Sequence, residues 1–157
     1  MSEKDTTTSS APTPAPIPME LVLQFHHTYS VPIRPFSDPT LDYERMNMRM
    51  SLIAEEFAEL MGAVYGPRAR AIIEAATIEA VAADEGERDV IEAADALADL
   101  VYVVYGMAIE SGMNLDSVLA EVQASNLSKL MPDGSVKLRE DGKVLKGPNF
   151  FQPNIAR

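Results

Sequence analysis

Apolar residues recur at steps of three and four along two long stretches, residues 41–65 and 88–110. That spacing keeps them on one face of a helix. In the first stretch the stripe is Met46, Met50, Ile53, Phe57, Leu60 and Val64; in the second it is Val90, Ala94, Leu97, Val101, Val104 and Ala108. Gly66-Pro67 stops the first, and Ser111-Gly112 stops the second. Between them a further helix is predicted over 68–83, broken by Asp84-Glu85-Gly86. Asn114 is placed to cap another helix, with Asp116 in its first turn, running to about Leu130. A short helix over 19–28 precedes a loop punctuated by Pro32, Pro35 and Pro39. The pattern predicts an all-α bundle of four to five helices.

The ends differ in character. Residues 1–18 are rich in Ser, Thr, Pro and Ala with little to bury, which predicts a disordered tail ahead of a helical domain over 19–157. From about residue 131 Gly and Pro interrupt the chain, giving an irregular C-terminal extension. Within it, Val136-Lys137-Leu138 and Val144-Leu145 flank Asp141-Gly142 and suit a small hairpin.

Composition narrows the partners. With 46% hydrophobic residues, the 157-residue chain can build a core. Thirteen Lys and Arg stand against 24 Asp and Glu, a net charge of −11. Such a surface disfavours duplex nucleic acid and anionic membranes. The lack of cysteine removes thiolate catalysis and Cys-bound zinc, and fits a reducing cytoplasm. The N-terminus shows no apolar run of a secretory signal, and the apolar segment around 96–109 is interrupted by Asp99 and too short to span a bilayer.

Against that background the acids stand out. Glu55, Glu56 and Glu59 share an arc of roughly 100° on the first long helix, and Glu92, Asp95 and Asp99 one of roughly 60° on the later one. Met48, Leu52 and Ala63 flank the first set, and Ala96, Tyr102 and Val103 the second. Helices so apolar around their acids are expected to be buried on more than one side. Sheltered carboxylates with almost no Lys or Arg nearby in sequence need cations, and carboxylate oxygens suit Mg²⁺ or Mn²⁺. The expectation is therefore that the acids of two helices converge in a sheltered cleft. The ordinary alternative, a solvated acidic face, stays open.

The paired motifs EEFAE (55–59) and EAAD (92–95) resemble the EExxE and ExxD signature of the MazG-like all-α NTP pyrophosphohydrolases, which include phosphoribosyl-ATP pyrophosphohydrolases and dimeric dUTPases. SNLSK (125–129) and KGPNF (146–150) extend the resemblance, which runs from FHHTY (25–29) to the C-terminal segment. It implies cleavage between the α- and β-phosphates to give a nucleoside monophosphate and pyrophosphate. It also implies metal binding by Glu56, Glu59, Glu92 and Asp95, with Asp99 as a further ligand or an alternative register. Glu55 would orient or deprotonate the attacking water, while Asn126, Lys129 and Lys146 would contact the nucleotide. The long spacer, residues 60–91, points to the dUTPase-like branch and a house-cleaning role on dUTP or other noncanonical nucleotides, with phosphoribosyl-ATP as the alternative substrate.

Other readings use the same residues differently. A di-iron carboxylate bundle also turns acids inward but needs Glu-x-x-His pairs, and neither His26 nor His27 stands three after a Glu. An acidic interaction module would show neither turnover nor metal-dependent stabilisation. Lys129 near a helix end is favourable whatever the function. Arg49, one turn before the glutamates, suits an ion pair or a phosphate. The surplus of apolar helix surface predicts a homodimer or homotetramer.

Overall fold

Five helices form close to the predicted places: α1 Pro18–Thr28, α2 Met46–Tyr65, α3 Pro67–Ala82, α4 Val90–Glu110 and α5 Leu115–Leu127. They were obtained as a computed structural model that describes residues 17–140 and 142–155. Of the predicted tail, residues 1–16 lie outside the described residues, whereas Ile17 and Pro18 belong to the start of α1. There the Glu20 carboxylate accepts from the Ile17 N–H at 3.2 Å.

The helix boundaries follow local hydrogen bonds. α2 begins later than its apolar spacing suggests, because the Thr40 hydroxyl takes the Asp42 N–H at 3.0 Å and holds the preceding residues in turns. Gly66, at a φ of 97°, separates α2 from α3 with a single residue. Asp89 caps α4: its Oδ1 accepts from the N–H groups of Ile91 and Glu92, both at 3.0 Å. Asn114 caps α5 as expected, accepting from the Ser117 N–H at 3.1 Å. α5 stops short of Leu130, because the Ser128 hydroxyl donates to the Ser125 carbonyl at 2.7 Å and draws the last turn away from helix.

The chain divides into two compact units. In the unit over 34–104, α2 and α3 pack along their length. Gly62 faces Arg70, while Ser51 and Glu55 face Glu74 and Thr77, so the two helices run in opposite directions. Ala58 is fully buried. The other unit joins the residues before 34 to those from 105 onward, with α1 packed on α5. Tyr29, only 2% exposed, donates its hydroxyl to the Asn126 carbonyl at 2.7 Å. The Gln123 side-chain amide donates to the Leu21 carbonyl at 2.9 Å. In the C-terminal extension the expected hairpin reduces to one antiparallel bridge, Leu138 with Val144, beside a glycine turn at Gly142. No described helix is long and apolar enough to cross a membrane.

Candidate functional site

Two groups of residues singled out by sequence lie in the two units. In the unit over 34–104, α2 carries Glu55, Glu56 and Glu59, and α4 carries Glu92, Asp95 and Asp99. All six are exposed. Their oxygens have the right chemistry for a hard divalent cation. Even so, among the described residues no three acidic or imidazole side chains are placed to hold one. In the single chain these carboxylates stand exposed, so the expected sheltered cleft is not formed within it. The physical reason lies in α4: Tyr102 is 80% exposed and Val103 60%, so apolar residues that were to shelter the acids are themselves uncovered.

Sequence also suggested that the acids lack cations. α3 supplies one: Arg70 reaches Glu59 at 3.2 Å and Glu74 at 2.7 Å. Close helix approach makes this possible, since a side chain at Gly62 would sit 3.0 Å from the Arg70 Cβ. Hydrogen bonding and the charges of both glutamates raise the Arg70 pKa above its ordinary value. Arg70 was missed because it is distant from Glu59 in sequence and meets it only through packing. Beside this pair a cleft of about 150 Å³ is lined by Ser51, Ala54, Glu55, Glu74 and Thr77. That is about half the lower end of the usual small-molecule pocket range, roughly 300 Å³.

In the other unit the basic residues do come together. Lys129 is half-buried at the end of α5 and donates to the Asn126 side-chain carbonyl at 2.7 Å. Lys146 stands over the Phe150 ring, 4.4 Å from its centroid. Burial pushes the Lys129 ammonium below the usual lysine range, and the charges of Lys146 and Lys143 push it further. Like charges gathered in this way make a natural seat for an anion. His26 meets the Pro32 carbonyl through Nδ1 at 3.1 Å, a packing role rather than one shared with His27.

The family profile of phosphoribosyl-ATP pyrophosphohydrolase matches residues 22–126. That span includes both acidic motifs and Asn126, and ends before Lys129 and Lys146. Among solved structures the chain is similar to a candidate NTP pyrophosphohydrolase from Exiguobacterium sp. 255-15, with 28% identity, a TM-score of 0.67, and 89% of this chain and 90% of that one covered. None of the curated proteins compared matches the chain.

Proposed function

We propose, from the premise that the chain belongs to the phosphoribosyl-ATP pyrophosphohydrolase family, that it hydrolyses a nucleoside triphosphate or a similar nucleotide between its α- and β-phosphates. The observation that carries this reading is the presence of both acidic motifs, Glu55–Glu59 and Glu92–Asp95, inside the matched span.

In the proposed reaction a water oxygen forms a bond to the α-phosphorus, and the bond from that phosphorus to the bridging oxygen breaks. The products are a nucleoside monophosphate, pyrophosphate and a proton. Glu55 orients the water and accepts its proton. Asn126, Lys129 and Lys146 bind the anionic substrate, a role supported by the cationic seat at the end of α5. Glu56, Glu59, Glu92 and Asp95, with Asp99, are proposed as Mg²⁺ or Mn²⁺ ligands on the chemistry of their oxygens. When bound, such an ion would supply charge stabilisation at phosphate.

The proposed working form is a homodimer or homotetramer. The uncovered apolar residues of α4, and Ile72 and Ile78 of α3, support it, since a partner copy would take such large apolar side chains out of water. For the substrate, the long spacer favours dUTP and other noncanonical nucleotides, whereas the family match favours phosphoribosyl-ATP. Pyrophosphate release measured with Mg²⁺ across dUTP, the common nucleoside triphosphates and phosphoribosyl-ATP separates these. Preference for phosphoribosyl-ATP would replace dUTP, and release from none of them would overturn the reading.

A further inference from the structure

Lys146 and Lys129 are far apart in sequence, and their mutual repulsion works against their meeting. What brings them together is the main chain. The Gly147 N–H donates to the Lys129 carbonyl at 3.0 Å. Four residues later the chain attaches again: the Phe151 N–H donates to the Ser128 hydroxyl at 3.1 Å, and the Ser125 hydroxyl donates to the Phe151 carbonyl at 2.8 Å. Ser125 is buried. Between the two attachments the Phe150 N–H donates to the Gly147 carbonyl at 3.2 Å and closes a turn. SNLSK and KGPNF, which look unrelated in sequence, are thus the two halves of one joint.

The joint depends on a missing side chain. A Cβ on Gly147 would collide with the Leu130 carbonyl oxygen and lie 2.9 Å from that of Lys129. Both are main-chain atoms, so no rotamer change relieves the clash. Any larger residue must lift the segment from α5. Lys146, the preceding residue, would be carried away with it, along with the ring of Phe150 beneath its ammonium group.

We propose that Gly147 is a positioning residue: by letting residues 146–151 dock on the end of α5, it sets Lys146 beside Lys129 as a paired-ammonium seat for a phosphate group of the substrate. This inference rests on the proposed function for the identity of the substrate. The docked segment overcomes the repulsion between the two ammonium groups, and a bound phosphate relieves it. The lowered pKa of Lys129, attributable to burial first and then to Lys146 and Lys143, is what such an enforced pair shows. Lys143 adds a third positive charge near the seat, whereas Tyr29 donates its hydroxyl to main-chain carbonyls and adds none.

The test compares the full-length wild-type chain with Gly147→Ala and Lys146→Met. The Lys129 side chain is titrated by carbon-13 NMR without nucleotide. In the wild type it titrates below the ordinary lysine value, and in both variants it moves back up. Lys146→Met leaves the docked main chain untouched, so it decides the matter even if Gly147→Ala loses structure. With the preferred nucleotide, Gly147→Ala raises KM about tenfold while kcat stays within about twofold, as expected for one lost charge-assisted contact. An unchanged Lys129 titration across the three chains, or an unchanged KM in Gly147→Ala, overturns the proposal. A chain that cleaves no nucleotide but shows the expected Lys129 response defeats the proposed activity and keeps the paired seat.

Discussion

Lys129 is the residue at which stability and binding pull in opposite directions. Its folded pKa is lowered, so the native state binds fewer protons there than the unfolded chain as pH approaches the ordinary value of 10.5. Holding the charge at neutral pH therefore costs stability, and that cost fades as pH rises toward 10.5. Lys129→Met is expected to raise the melting temperature at pH 7 by about 2 °C, with the gain shrinking as pH approaches the ordinary lysine value; thermal scans across that range check it. The same variant should weaken nucleotide binding. Glu56 makes the complementary case. Glu56→Gln is expected to lower kcat at least about 100-fold while leaving the helical circular dichroism unchanged, and full activity would remove Glu56 from the site. The sequence made both residues legible because their types and motifs are local. Arg70 was not legible: its meeting with Glu59 is created by α2 and α3 folding back on each other, with Gly62 allowing the approach.

Among the elements, caps set the boundaries that apolar spacing leaves loose. Asn114 was readable as a cap because a helical pattern starts directly after it, and it accepts from the Ser117 N–H. The predicted stretch starts at Arg88, and Asp89 was not read as a cap. In the structure Arg88 turns back to pair with Asp84 at 2.7 Å and leaves Asp89 to satisfy two N–H groups. Replacing Asp89 by Ala should cost about 1 kcal/mol and lower the melting temperature by about 3 °C, a shift readable by calorimetry. The hairpin prediction was correct in place and too large in extent. Leu138 and Val144 pair, and the Arg139 N–H meets the Lys143 carbonyl at 2.8 Å, but the chain then leaves for its attachment to α5.

At the scale of the whole molecule, the helical pattern predicted burial but not its source. Periodicity records that a face is kept from water; it does not record whether the same chain or another covers it. The stripe of α4 reads as core, yet Leu97, Val101 and Val104 are exposed in the single chain. A partner copy is the proposed cover, and light scattering at micromolar concentration should give at least twice the 17.1 kDa chain mass. Val101→Glu, which places a charge in that face, should shift the mass toward the single chain. A wild-type protein that stays monomeric would leave the exposed stripe without its proposed explanation.

The most direct test of the central claim is the fate of the water oxygen. Wild-type protein, Mg²⁺ and its preferred nucleotide are incubated in oxygen-18 water, and the products are resolved by phosphorus NMR. Cleavage by attack at the α-phosphorus places the heavy oxygen in the nucleoside monophosphate and leaves pyrophosphate unlabelled. Labelled orthophosphate with a nucleoside diphosphate, or no cleavage at all, would contradict the assigned chemistry.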